Sequence, residues 1–208
     1  LCVNNIPSWK IVLLNETIFI TLYNKKYNKF EYLNSDFLSD SIPCPYLFLK
    51  KINNFIKKKN IDQICDLGSG FGKILYFFGK IKKINIDGVE LEKKIYDLSL
   101  NLQCDKIKIY NQDILTFDLN TKKYELFIFN DPLKNSSDLL KLILRIKKNY
   151  KSVYLIFINL DFNKQKLIKK NLIINDQFVA SSNKNIFFCS MKWVVPPPRI
   201  ELRIYPYH

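Results

Sequence analysis

The chain has 208 residues, 48% of them hydrophobic and 25% charged, which fits one soluble domain with a sizeable core. No apolar run approaches the roughly 20 residues of a membrane-spanning helix, and the first residues lack the basic leader and cleavage site of a signal peptide. The net charge of +14 is carried almost entirely by lysine. Because phosphate and base recognition usually relies on the bidentate arginine fork, we do not favour a nucleic-acid partner over the coding bias of an A/T-rich genome.

Residues 1–44 form a leader that we expect to cap the domain. Its apolar stretches fit strands or short helices equally well, because their periodicity favours neither. The segment Pro43-Cys44-Pro45-Tyr46 ends the leader, and the apolar positions that follow repeat at helical spacing up to Ile56. We therefore predict that a helix opens the main domain, which spans residues 45–192.

Strands and helices alternate from residue 61 to residue 170. The predicted strands are Ile61–Asp66, Ile84–Glu90, Ile107–Asn111, Tyr124–Asn130 and Ser152–Asn159, and the predicted helices are Gly72–Lys80, Glu92–Leu102, Ser136–Asn149 and Asn163–Lys170. Helices that join strands in this way imply an α/β fold with a mostly parallel sheet and helices on both faces. Ile173–Val179 and Asn185–Lys192 are predicted to complete the sheet as a terminal antiparallel hairpin.

Residues 193–208 depart from the rest of the chain. They contain a run of three prolines and two arginines but no lysine. This composition resembles the translation of a transfer-RNA gene next to a reading frame, so we interpret the segment as a read-through extension. A polyproline tail that docks on a partner is the functional alternative.

The cysteines and the histidine restrict the chemistry. The five cysteines are scattered without a C-x-x-C pair, and the single histidine, His208, is the last residue. An odd number of dispersed thiols argues against a disulfide framework or a zinc site and fits a reducing compartment. We therefore expect a cytoplasmic protein that binds no metal ion and uses no histidine as a base.

The most informative segment is Asp66-Leu67-Gly68-Ser69-Gly70-Phe71-Gly72-Lys73, which holds three of the five glycines. Glycine lets the backbone turn tightly and approach a ligand closely. The segment lies between a predicted strand and a predicted helix, an arrangement that binds nucleotide-like ligands at a helix N-terminus. A dinucleotide oxidoreductase would have the spacing G-x-G-x-x-G, whereas here the third glycine comes one residue early and an acidic residue precedes the first.

Four segments in order resemble the motifs of class I S-adenosylmethionine (SAM)-dependent methyltransferases. They are the segment from Asp66 to Gly72, Gly88-Val89-Glu90, Asn111-Gln112-Asp113-Ile114 and Asn130-Asp131-Pro132-Leu133. Within the class the chain resembles the small bacterial group with D-L-G-S-G-x-G-[KR], G-V-E and an Asn-Pro-Phe-like fourth motif. The resemblance covers residues 41 to about 192. It implies a Rossmann-like sheet, SAM as cofactor and methyl transfer as activity.

The resemblance also implies a cofactor site. Its predicted members are Asp66, Gly68, Ser69, Gly70, Gly72, Glu90, Asp113 and Ile114. Asp66 would meet the cofactor ammonium, and Glu90 would accept both ribose hydroxyls. Asp113 would accept from the adenine amino group, with Ile114 against the ring. Taken singly, the three carboxylates could instead be a helix cap, a solvated loop residue and a turn residue.

The fourth motif provides the predicted catalytic residues, Asn130 and Asp131, whose oxygens could accept the N–H groups of an amine. Leu133 replaces the aromatic ring that would stack on a flipped base. We therefore favour a protein lysine or a small-molecule amine or hydroxyl as methyl acceptor over RNA or DNA. The alternative function is a non-catalytic module that binds SAM but has lost turnover. For Asp131-Pro132 alone, the alternative is a turn that ends the strand and has no role in binding.

Overall fold

The computed structural model describes residues 42–181 and 184–191, together with residue 17. In chain order the elements are α1 (Tyr46–Lys59), β1 (Gln63–Leu67), α2 (Lys73–Leu75), β2 (Asn85–Glu90), α3 (Lys93–Ser99), β3 (Ile107–Asn111), β4 (Leu126–Phe129), α4 (Ser136–Asn149), β5 (Tyr154–Ile158), α5 (Phe162–Asn171), β6 (Leu172–Ser181) and β7 (Lys184–Met191). Most of the predicted leader, and the whole of the predicted tail, lie outside the described residues.

The strands form one seven-stranded sheet in the order β3-β2-β1-β4-β5-β7-β6. The pairs among the first five strands are parallel, and β7 is antiparallel to both β5 and β6. The predicted α/β fold with a terminal antiparallel hairpin is therefore confirmed. The strand order reverses between β1 and β4, which places the carboxyl ends of these neighbouring strands at the crevice where such sheets bind ligands.

Apolar side chains cover both faces of the sheet. Ile64, Ile86 and Ile128 point to one face and pack in a buried cluster that includes α1. Phe127 and Phe157 belong to the opposite cluster, which includes α4. Because both faces are covered, β4 and β5 are apolar at successive positions rather than at alternate ones.

Several predicted elements differ in detail from the structure. The predicted helix Gly72–Lys80 is α-helical only over Lys73–Leu75 and continues as a π-helix over Tyr76–Ile81. Gly79 lies in this π-helical segment, where a Cβ atom would stand 2.2 Å from Cγ1 of Ile107, so only glycine fits against β3. The predicted helix Glu92–Leu102 ends its α-helical part at Ser99 and finishes as a 3-10 turn. The predicted bounds of β3 agree with the structure, whereas those of β1, β2, β4 and β5 differ by at most two residues at either end.

Cys44, Cys65, Cys104 and Cys189 are free thiols. Within residues 42–181 and 184–191, every helix is too short or too polar to cross a lipid bilayer.

Candidate functional site

The glycine turn between β1 and α2 is built on left-handed backbone. Gly68, Gly70 and Gly72 have φ angles of 85°, 54° and 84°, a region that side-chain-bearing residues rarely adopt. The N–H groups of Gly68 and Ser69 both donate to the carbonyl of Val89, at 2.9 and 3.0 Å. The turn is therefore tied to the end of β2, as the parallel pairing of Asp66 with Gly88 requires.

Gly68 also brings the first and fourth motifs into contact. A Cβ atom placed on Gly68 would lie 2.3 Å from Cβ of Pro132, well inside van der Waals contact. The loops that follow β1 and β4 therefore touch at this point. The segment expected to hold the cofactor and the segment expected to hold the methyl acceptor are neighbours in the fold.

Asp66 is a buried carboxylate directly before the glycine turn. Its side chain is 0% exposed, and neither carboxylate oxygen has a hydrogen-bond partner among the described residues. The hydroxyl of Ser69, three residues later, is also buried and has no partner within the described ranges. Burial raises the pKa of Asp66 well above its usual value, and the nearby Glu90 carboxylate raises it further. Such a group is suited to receive a cationic or hydrogen-bond-donating ligand.

Asp66→Asn is expected to stabilise the protein by at least about 1 kcal/mol at pH 7, because an unpartnered buried carboxylate disfavours folding more than a neutral amide of the same shape. The raised pKa means that the folded protein keeps a proton on Asp66 after the unfolded chain has released it, above about pH 4. The stability of the wild type should therefore fall relative to the variant as the pH rises from about 4 to 7.

Urea unfolding of both proteins at pH 4 and pH 7 measures this difference, and the comparison cancels the titration of all other groups. At pH 4 the two midpoints should be similar. Equal midpoints at both pH values would show that Asp66 is solvated or paired in the folded protein.

Glu90 ends β2 next to the glycine turn and is 7% exposed. Its Oε2 accepts the N–H of Gly70 at 2.8 Å, and its Oε1 accepts the N–H of Glu92 at 2.9 Å. Burial raises the pKa of Glu90, while the two N–H groups oppose that shift. Each carboxylate oxygen can accept a second hydrogen bond, so the side chain is oriented by the protein and still able to bind donors of a ligand.

The third motif, Asn111-Gln112-Asp113-Ile114, begins at the last residue of β3. Asn111 donates from Nδ2 to the carbonyls of Glu90 and Leu91, both at 2.9 Å, which ties this segment to the end of β2. Oδ1 of Asp113 accepts the N–H of Leu115 at 2.8 Å, so part of its carboxylate stabilises its own turn. Ile114 is 6% exposed and packs in the core cluster on the α4 side of the sheet.

Asn130 follows β4 and bonds to two distant parts of the chain. Its Nδ2 donates to the carbonyl of Ile42 at 2.5 Å, and its Oδ1 accepts from Nδ2 of Asn159 at 2.8 Å. Asn159 follows β5, is 8% exposed and has a φ angle of 60°. Two neighbouring strands therefore end in asparagines whose side chains bond to each other.

Asp131 is engaged by a buried lysine. Nζ of Lys164, a residue that is 2% exposed, lies 2.6 Å from Oδ1 of Asp131 and 3.2 Å from Oδ2 of Asp161. Burial raises the pKa of Asp131, and the lysine opposes that shift. The ion pair fixes the loop after β4 to α5, whose first turn is capped by Asp161.

Asn159 and Lys164 are the residues at this edge that the sequence predictions miss. Asn159 closes a continuous apolar strand in the same way as Asn130 does, and this repetition is a signal that could have identified it. Lys164 is one of many lysines in the chain, and its burial beside Asp131 depends on how α5 packs. No sequence pattern distinguishes it.

The sequence comparisons give two partial relatives, and no family model matches the chain. The ribosomal RNA small subunit methyltransferase A of Wigglesworthia glossinidia brevipalpis is 35% identical over 104 residues, which cover 49% of this chain and 36% of that protein. The histone H3 lysine-79 N-methyltransferase of Dictyostelium discoideum is 30% identical over 78 residues, which cover 38% of this chain and 4% of that protein. The chain thus spans about a third, or much less, of the length of these relatives.

Solved methyltransferase structures share the architecture over most of the chain. An RNA methyltransferase from Salinibacter ruber, in complex with S-adenosylhomocysteine (SAH), has a TM-score of 0.58 at 13% identity and covers 75% of this chain and 97% of its own. Magnesium protoporphyrin IX methyltransferase from Synechocystis PCC 6803, with bound SAM, has a TM-score of 0.57 at 10% identity and covers 92% of this chain and 100% of its own. The chain has the fold of class I SAM-dependent methyltransferases.

Proposed function

We propose that this protein binds SAM and transfers its methyl group to an acceptor at the carboxyl ends of β4 and β5. The observation that carries the proposal is Asp66, a fully buried carboxylate directly before the glycine turn, neither of whose oxygens has a partner in the described part of the chain. A buried carboxylate with no hydrogen-bond partner among the described residues is typical of a ligand site. SAM and SAH, bound in the solved structures with this fold, carry an ammonium group that could pair with it.

The residues around Asp66 fit the remaining parts of SAM. The turn from Gly68 to Gly72 offers backbone close to the strand ends, and Glu90 presents a carboxylate held by two N–H groups. Asp113, half-buried beyond β3, is the proposed partner of the adenine amino group. When bound, SAM supplies an electrophilic methyl group on sulfur. The chain's own residues bind the cofactor, orient the acceptor and exclude water.

The acceptor side rests on Asn130 and Asp131. Because Lys164 engages the Asp131 side chain, we assign the acceptor contacts to the amide of Asn130 and the backbone of Asp131. Leu133 is 4% exposed and packs in the core, so it offers no ring or surface on which a base could stack. We therefore favour a lysine side chain or a small molecule over a nucleic acid. An RNA acceptor is the alternative, supported by the ribosomal RNA methyltransferase among the relatives.

Calorimetric titration of the protein with SAM and with SAH tests the cofactor assignment. We expect both ligands to bind with dissociation constants in the micromolar range. A dissociation constant of 1 μM corresponds to a binding free energy of about −8 kcal/mol. Absence of binding to both ligands would overturn the proposal.

A second experiment tests transfer. The protein is incubated with a cell extract and SAM labelled with tritium on the methyl group, and the extract is then separated into protein, RNA and small molecules. Label in the protein or small-molecule fraction is the expected result. Label in RNA would favour the nucleic-acid alternative, and cofactor binding without label in any fraction would favour a module that binds SAM without turnover.

A further inference from the structure

The two asparagines at the ends of β4 and β5 form a directional chain of hydrogen bonds. The carbonyl of Ile42 can only accept, so the Asn130 amide must present Nδ2 to it and Oδ1 to the other side. Oδ1 of Asn130 can also only accept, so Asn159 must present its Nδ2 there. The oxygen of Asn159 is thereby fixed as the free end of the chain.

This free end is buried. The Asn159 side chain is more than nine-tenths buried, and its Oδ1 has no hydrogen-bond donor among the residues that the structure describes. From amide bond lengths, Oδ1 lies about 2.2 Å from Nδ2 of the same group, so it stands within about 5 Å of the Asn130 oxygen. Two acceptor oxygens are therefore held side by side in a poorly solvated place.

The backbone supports a specific role for Asn159. Its φ angle of 60° lies in the left-handed region, which asparagine tolerates better than most residues. Its N–H donates to the carbonyl of Asn185 at 2.8 Å. The side chain of Asn185 in turn bonds to both the N–H and the carbonyl of Leu160. The loop after β5 is thus held rigidly, and the direction of the Asn159 amide is set by the fold.

The charges nearby favour an amine over a hydroxyl. Asp131 and Asp161 both pair with the ammonium group of Lys164, whose positive charge opposes the uptake of a proton from a hydroxyl by either carboxylate. A hydroxyl must lose its proton to a nearby base as it is methylated, whereas an alkylammonium ion can release one proton to solvent before the attack. The neutral amine would then attack the methyl carbon with its lone pair while the carbon–sulfur bond breaks and its electron pair stays on sulfur, which leaves SAH and a methylammonium ion. Oxygens that accept N–H groups orient such an amine without taking part in proton transfer before the attack.

We propose that Asn159 is a second acceptor-binding residue, and that the paired oxygens of Asn159 and Asn130 select an aliphatic amine, such as a lysine side chain, as methyl acceptor. The inference rests on the proposed function and adds the atom that is methylated. Ile42 is 41% exposed and Asn130 is less buried than Asn159, so the amine approaches the two oxygens from the Asn130 end of the chain of bonds.

Nuclear magnetic resonance of the side-chain amides provides a readout that needs no methyl transfer. The SAH-loaded protein is titrated with n-butylamine and, separately, with 1-butanol, which has the same length but a hydroxyl. The Asn159 signal is assigned by its loss in Asn159→Gly, since glycine tolerates the positive φ. We expect butylamine to shift the Asn159 and Asn130 signals and butanol to leave them in place. Equal shifts, or none, would overturn the inference while SAH binding still supports the proposed function.

The same variant tests the role in transfer. Asn159→Gly should bind SAM as the wild type does but transfer tritiated methyl to the extract about tenfold more slowly or worse. Asn149→Ala is the control variant, because Asn149 is an exposed asparagine whose side chain also bonds to another asparagine, Asn120. It should leave both the SAM affinity and the rate of methyl transfer unchanged. Acid hydrolysis of the labelled product should yield N-methylated amines. Label in RNA nucleosides or in methyl ethers and esters, or transfer by Asn159→Gly at the wild-type rate, would overturn the inference.

Discussion

Glu90→Ala is expected to raise the dissociation constant of SAM about 100-fold or more, because two hydrogen bonds to a charged acceptor contribute about 1.5–3 kcal/mol each. The side chain is buried, and both oxygens are already oriented by the N–H groups of Gly70 and Glu92. A carboxylate oriented in advance loses little entropy when the ribose hydroxyls bind. Glu90→Gln, which keeps one of the two acceptor oxygens, should fall between the wild type and Glu90→Ala.

The alanine variant also releases two backbone N–H groups, which could disturb the turn without any role in binding. Glu125→Ala is a matched control. Oε2 of Glu125 accepts the N–H groups of Asp62 and Gln63 at 2.7 and 3.2 Å. These residues lie at the start of β1, at the opposite end of the strands from Glu90. Calorimetry should show SAM affinity unchanged in this control. If Glu90→Ala binds SAM within twofold of the wild type, the ribose assignment of Glu90 is wrong.

The geometry of the proposed cofactor half of the site can be predicted from the sequence. In a parallel sheet the carboxyl ends of adjacent strands lie side by side, so polar residues that close successive apolar strands must converge. The register pairs Asp66 with Gly88 and Glu90 with Asn111, which is the juxtaposition that the motif order implies. The glycines of the turn have the positive φ angles that their spacing predicts.

The proposed acceptor half depends on contacts between loops that no periodic pattern encodes. The bond from Asn159 to Asn130 joins residues 29 positions apart, and the bond from Asn130 to Ile42 joins residues 88 apart. The ion pair of Lys164 with Asp131 depends on the packing of α5, and a lysine in a lysine-rich chain gives no local indication of burial. The sequence therefore locates Asn130 and Asp131 but not the partners that determine which of their atoms are free.

The contact between Gly68 and Pro132 connects these two halves. Gly68→Ala is expected to lower the free energy of unfolding by about 2–5 kcal/mol, the sum of the left-handed strain and of overpacking against the proline. The φ angle of 85° and the 2.3 Å approach to Cβ of Pro132 act independently, and neither can be relieved by a side-chain rotation. Urea unfolding followed by circular dichroism measures the loss, and an unchanged midpoint would contradict the close approach.

A double-variant cycle separates the two causes. Pro132→Gly removes the atoms that the new methyl group would meet. In that background Gly68→Ala should lower the free energy of unfolding only through the strain of its positive φ, so its effect should be about 1–3 kcal/mol smaller than in the wild type. Additive effects would exclude the contact as the source. The double variant keeps the residues proposed to bind SAM and the residues that hold Asn130. If it recovers stability and SAM binding but not methyl transfer, the contact between Gly68 and Pro132 positions Asn130 relative to the cofactor.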